Sequence, residues 1–346
     1  MKIVDLLENK NNKFDAIFKT QYFKQYMAPI LDTITDGDID LLEEADNIMH
    51  YTTIKGKYNI EDAFILHGSS KNTYRTGDII TVTGRKFPTD SSYIMHNAVN
   101  EFSEEKFNVD IRSLLFGTFH IDTAMDYAQS LSNINIIIPD DDYIFYYSTD
   151  YDDFYIDFLR ENAKVRNNVR EFGYTFVDYI QEEKDSIKNI FSDNIKTLAK
   201  NNNVKPESIW NGLYASLEDA IHDYFKKLVL DPLVRDTMID LNKYASGFID
   251  MITDDMTEDI QSFDIKIPKD YDDSMKRVLF SIMKQFIQDF NEMIDNLANE
   301  YVSTVVSTTN PLDIHKLNEI MIDTNRVHTV SIIDILKMIK VYKGIK

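Results

Sequence analysis

The feature that most limits how this chain can fold is a change in the period of its apolar residues near Tyr155. Before it, these residues come in short β-branched or aromatic runs: Ile79, Ile80, Val82 and Thr83, then Ser113 to Phe119, Asn135 to Ile138 and Tyr143 to Tyr147. Runs of that length, bounded by Gly84, Gly117 and Asp140-Asp141-Asp142, predict strands closed by turns. A further strand is expected around Ala63 to Leu66. After Tyr155 the apolar steps become three and four. Val165, Val169, Phe172, Phe176 and Ile180 give one such series, and Ile187, Phe191, Ile195 and Leu198 continue it. Trp210, Leu213, Leu217, Ile221 and Phe225 form the next, followed by Val234 to Ile252 and by Met275 to Leu297. Steps of this kind predict amphipathic helices. Asn201-Asn202-Asn203, Asp231-Pro232 and Pro268 punctuate them, and Pro206 suits a first helical turn. Two shorter helices are expected around Pro311 to Ile322 and Ser331 to Val341. The chain therefore reads as α+β. A mixed α/β domain with N-terminal helices covers residues 1–155, and an all-α helical bundle domain covers 156–346.

Composition narrows the function classes. A chain of 346 residues has room for two domains with cores of their own. Hydrophobic residues at 43% argue against disorder, and 20 Tyr with 21 Phe make aromatic packing a large part of any core. The absence of cysteine excludes disulfides, thiolate nucleophiles and Cys-ligated zinc. No apolar run reaches the length of a membrane span, and the start lacks the segments of a signal peptide. The expected location is the cytoplasm. The formal net charge of −21 would repel nucleic acid and anionic membrane and would suit a basic protein partner.

Other motifs carry less. The seven histidines are scattered, with no HExxH or comparable ligand spacing, so no metal site is expected. Asp140-Asp141-Asp142 lacks the alternation of a calcium loop, and Gly68-Ser69-Ser70-Lys71 lacks the pattern of a phosphate loop. His96 and Asn100, four apart on the helix expected after Asp90, either line a cleft or form a partly buried helix pair.

The densest stretch runs from Asp78 to Tyr127. Arg85 stands at the end of the first strand, in Thr83-Gly84-Arg85-Lys86. Ser113 and Thr118 lie on the second, and Ala124 and Tyr127 follow on a helix that Asp122 is expected to cap. Asp150, Asp152 and Asp153 come after the last strand. This order resembles the ADP-ribosyltransferase fold, and more closely a group of phage-encoded proteins that look like it, over roughly residues 62–155. The resemblance implies an NAD-dependent transferase acting on a host protein in the host cytoplasm. The compositional bias toward Asn, Lys, Ile, Asp and Tyr fits such a source. It implies Arg85 on the NAD diphosphate, Ser113 or Thr118 on the nicotinamide ribose, and Phe119 or Tyr127 against the nicotinamide. An aspartate, Asp153 before Asp150, would stabilise the cationic ribose. In this stretch the family's Ser-Thr-Ser run and its usual glutamate have no match. Two further readings accompany this one. One is a non-catalytic, possible virion-associated phage protein that keeps the fold as a scaffold. The other is an acidic protein that blocks a basic, nucleic-acid-binding partner.

Overall fold

The computed structural model describes residues 13–39, 64–69, 74–83, 93–140, 142–159, 178–230, 271–314 and 317–345, together with 176, 249 and 253. Two compact units emerge. The first joins residues 1–87, 99–158 and 300–346, and the second joins 88–98 with 159–299.

Among the described residues, the first unit holds eight antiparallel strands in two four-stranded sheets. One sheet has the order β1 (Leu66–Gly68), β4 (Ile134–Pro139), β8 (Arg326–Ser331), β2 (Ile79–Thr81). The other has the order β3 (Leu115–Gly117), β7 (Ile320–Thr324), β5 (Tyr143–Ser148), β6 (Val305–Thr308). Strands lie at or beside the segments expected before residue 155, but three details differ. The strand expected around Ala63 to Leu66 instead begins at Leu66 and runs to Gly68. Residues 111–113 form a 3-10 turn, so the second expected strand begins only at Leu115. β4 and β5 also do not pair with each other; the chain between them crosses from one sheet to the other.

The larger correction lies at the C-terminus. Strand β7 takes the end of the segment expected as a helix over Pro311 to Ile322, which is helical only in a 3-10 turn at Pro311–Ile314; β8 fills the stretch up to Ser331, and β6 precedes them. A sheet with strands from beyond Phe158 replaces the expected division, because residues 300–346 return to the first unit. The physical reason is burial on both faces. Ile320, Met321 and Ile322 are all buried, as are Val327, His328, Thr329 and Val330. A strand covered on both sides shows a continuous apolar run instead of alternation, and such a run is easily taken for a helical face. Only one residue, Asn325, separates the two strands, yet each enters a different sheet. The last helix begins later than expected, at Ile335–Lys343, and Tyr342 and Lys343 bond Asp32.

The core of this unit is rich in Ile and aromatic residues, with Ile65, Ile136, Ile137, Ile322, Phe119 and Phe145 all buried. The sheets approach closely at Gly117. A Cβ there would stand 2.4 Å from Ile65 Cγ2 and 3.3 Å from Ile137 Cδ1. N-terminal residues complete the core, with Phe14, Ile17, Tyr22, Phe23 and Leu31 buried in it. Helix α1 (Ala28–Asp32) follows a π-helical turn at Phe23–Met27. Helix α2 (Tyr93–Phe107) ends with Lys106, whose Nζ donates to the carbonyls of Val302, Ser303 and Val305 at 2.8–3.2 Å. A lysine there satisfies carbonyls that the end of a helix leaves open, and it anchors the change from helix to β6.

The second unit is helical among the described residues. The series from Ile187 to Leu198 is two helices, α4 (Lys184–Ile190) and α5 (Ser192–Asn202), broken at Phe191. Asn203 stops α5 in the left-handed conformation, where Asn is better tolerated than most residues. Pro206 then opens α6 (Pro206–Leu230), which buries Trp210, Leu213, Leu217 and Ile221. α7 (Tyr271–Thr304) buries Leu279, Ile282, Phe286 and Phe290, and the Phe286 ring lies 4.6 Å from that of Phe176. The Val165 to Phe172 part of the first expected helix, most of the helix expected over Val234 to Ile252, and Asp90 lie outside the described residues. No helix among the described residues is long and apolar enough to cross a membrane.

The tightest backbone contact of the first unit is testable. Helix α3 (Ile121–Ala128) lies on β1 so closely that a Cβ at Gly68 would stand 2.0 Å from the Ala124 carbonyl oxygen. Gly68→Ala should destabilise by about 1–3 kcal/mol, because backbone must move to admit the methyl. Gly212→Ala, on α6 with nothing within 4 Å of the added Cβ, should be neutral or stabilising by up to about 1 kcal/mol. Urea unfolding of the two variants measures the difference.

Candidate functional site

The two sheets meet along the edges β1 and β3. A single antiparallel bridge joins Leu66 to Thr118, with backbone bonds of 2.7 and 2.9 Å. The His67 ring is fixed across this seam, because its Nδ1 lies 2.8 Å from the Phe116 carbonyl. A carbonyl only accepts, so Nδ1 carries the proton. Thr118 Oγ1 accepts from the His120 N–H at 3.0 Å and so sets the entry to α3. Ala124 and Ala128 are the residues α3 buries against β1. The buried spacing on α3 is therefore four. Tyr127, expected beside Ala124, stands 40% exposed on another face. Asp122 lies in the first turn of α3, and His120 occupies the cap position with no side-chain cap bond.

Beside the seam lies a buried charged cluster. Arg112 follows directly on Ile111 in the 3-10 turn, and its side chain is 1% exposed. Its backbone N–H donates to Asn100 Oδ1 at 2.8 Å, while Asn100 Nδ2 donates to Ser113 Oγ at 3.0 Å. One asparagine thus fixes both residues. The guanidinium lies 4.5 Å from the Phe116 ring centre and 4.1 Å from that of Phe154, an arrangement that favours a cation. Its Nη1 donates to Glu319 Oε1 at 2.6 Å. Tyr301, at the end of α7, is hydrogen-bonded to the same arginine. Burial pushes the Tyr301 phenol far up from its ordinary range. Glu319 and Asp153 add to that rise, and Arg112 opposes it.

Glu319 belongs to the site through β7. It immediately precedes Ile320, which pairs with Gly117. The Phe119 N–H donates to the Leu317 carbonyl at 3.3 Å, so residues 317–320 run beside Thr118 and Phe119. The Glu319 backbone therefore lies at the Thr118 end of β3, and its carboxylate meets Arg112, 207 residues away in sequence. It lay in a segment expected to be helical, with no local motif around it.

The expected site residues fall in several places. Arg85 lies outside the described residues. Thr118 is at the seam. Ser113 is beside the cluster, bonded to Asn100. Phe119 is 1% exposed in the core, so its ring is enclosed by packing. Asp153 is 5% exposed and adjoins Tyr301 in the cluster. Asp150 is exposed and accepts from Thr149 Oγ1 at 2.8 Å. Of these, Ser113 adjoins the cluster through Asn100 and Asp153 through Tyr301, while Thr118 lies opposite Glu319 by the register of β3 and β7. Of the pair His96 and Asn100, both are buried, and Asn100 is occupied in holding the 3-10 turn. Among the described residues no group of three or more His, Asp or Glu is placed to hold a metal ion. No family model, no curated protein and no solved structure matches the chain.

The buried phenols give a pH prediction. Tyr22 and Tyr301 are both fully buried, with phenols raised by burial. Above the ordinary tyrosine range, about pH 10, the unfolded chain releases protons that the folded chain retains. The stability these phenols contribute is present below that pH and is lost as pH rises toward their folded values. Alkaline titration should therefore show cooperative unfolding, with part of the tyrosinate absorbance appearing only in that transition. Smooth ionisation of all tyrosines without unfolding would contradict it.

Proposed function

We propose that this chain is an NAD-dependent ADP-ribosyltransferase acting on a protein acceptor, a host protein if the source is a phage, with its site at the seam of β1 and β3. The observation that carries the reading is the position of Glu319. The resemblance calls for an acidic residue, and the register of β3 and β7 sets a glutamate opposite Thr118. Glu319 takes the role first given to Asp153. Being one methylene longer, it also has the greater reach.

The chemistry follows from charge. The bond between nicotinamide nitrogen and ribose C1′ breaks, and its electron pair leaves with neutral nicotinamide. The ribose becomes oxocarbenium-like. Glu319 accepts a hydrogen bond from a ribose hydroxyl and stabilises the positive charge. Thr118 orients the ribose, Tyr127 offers an exposed ring at the α3 side, and Arg85 binds the diphosphate. An acceptor nucleophile then bonds C1′ and loses its proton.

A second reading is favoured by the burial of the Arg112–Glu319 pair, with side chains 1% and 10% exposed. A closed pair of that kind suits a scaffold that keeps the fold without turnover, whose net charge of −21 favours a basic partner.

Nicotinamide release, measured with host extract present as a source of acceptor, separates the two. Glu319→Gln should lower kcat by about 10²–10³-fold, with little change in the KM for NAD, since the carboxylate matters most when the ribose is cationic. Asp153→Asn and Asp150→Asn should cost much less. Wild-type protein that neither binds NAD nor releases nicotinamide supports the scaffold. Equal losses in all three variants would leave Glu319 without a special role.

A further inference from the structure

We infer that Arg112 is a positioning residue for Glu319, holding that carboxylate ionised and aimed at the Thr118 end of β3; the inference rests on the transferase reading for its purpose, though not for its test. Five residues converge on Arg112. Its backbone is set by Asn100, its cation lies over Phe116 and Phe154, its Nη1 binds Glu319, and Tyr301 bonds it from α7. They come from α2, the strand β3, the segment after β5, the residue before β7 and the end of α7. A residue that served packing alone would need no charge here, and burying one is costly unless it is paired. Among the described residues, Arg112 is bonded to Glu319, and both stand about the buried Tyr301 together with Asp153. A cation bonded to a carboxylate favours its ionised form, and in this cluster Arg112 is the cation so placed.

The geometry also requires arginine and not merely a cation. A guanidinium binds a carboxylate, bonds a phenol and lies flat over aromatic rings at the same time, while an ammonium is a compact point charge. The role of Arg112 is distinct from that of Glu319, because it acts through the carboxylate.

The test follows the Glu319 carboxyl directly, by ¹³C NMR titration of wild-type and Arg112→Met protein, with folding checked by circular dichroism. Removal of the guanidinium should raise the titration midpoint of Glu319 by about 1–3 pH units. The acid limb of nicotinamide release should move to higher pH by the same amount, with the KM for NAD unchanged. A role in packing alone would change stability without moving either. An unshifted midpoint in folded Arg112→Met overturns the inference. If that variant does not fold, Arg112→Lys decides by the same titration: the Glu319 midpoint should rise as the guanidinium contact is lost, and an unmoved midpoint overturns the inference. Wild-type protein without nicotinamide release overturns the transferase reading and the catalytic purpose of the pair, and the titration separates that failure from a mistaken role for Arg112.

Discussion

Both sheets of the first unit depend on strands supplied by the last thirty or so residues of the chain. β7 lies between β3 and β5, and β8 lies between β4 and β2. Without them, β3 would have no partner beyond the single bridge to Leu66, and β2 would have none in its sheet. Central strands bury both faces, so their contribution is large. Ile320, Met321, Ile322, Val327 and Val330 are each fully buried, and full burial of such side chains is worth about 1.5–3 kcal/mol apiece before the entropy of ordering is set against it. The pairing is also non-local, joining residues 79–81, 115–117, 135–139 and 143–146 to residues 320–331. Loops that long must close before the sheets reward them, which predicts slow folding for this unit.

The same constraint builds the charged cluster. β7 delivers Glu319 to Arg112, and Arg112 is already held from the other side by Asn100 and the two phenylalanines. A buried ion pair is weak evidence for stability, because desolvation offsets much of the attraction. Removing one partner is another matter, since the remaining charge is left in a poor solvent at a cost on the order of 3–5 kcal/mol. The cluster is thus a place where the structure has little freedom to vary.

The elements that the sequence made legible share a property: each announces itself locally. Ile79 to Thr81, Ile134 to Pro139 and Tyr143 to Ser148 are β-branched or aromatic runs between turn residues, and they are strands. Trp210, Leu213, Leu217 and Ile221 step along one face, and they lie on a helix. What local pattern hid was decided by distant partners. Ile320 to Thr324 and Arg326 to Ser331 became strands because two sheets had central places for them. The break at Phe191 divides a stripe that periodicity alone continues. At the site, Thr118 and Asp153 were legible as polar residues flanking strands. Glu319 was not, because nothing near it in sequence marks it and only the pairing of Ile320 with Gly117 brings it there. Arg112 was passed over in favour of its neighbour Ser113, since a buried arginine cannot be told from an exposed one without its partners.

The proposed function turns on strand β7 completing a dinucleotide site at the seam of β1 and β3. A structure of the protein with a non-hydrolysable NAD analogue tests it most directly. The account predicts the nicotinamide ribose within hydrogen-bond reach, about 3 Å, of the Glu319 carboxylate, with Thr118 alongside. An analogue bound away from the seam, or one whose ribose faces neither residue, would contradict it.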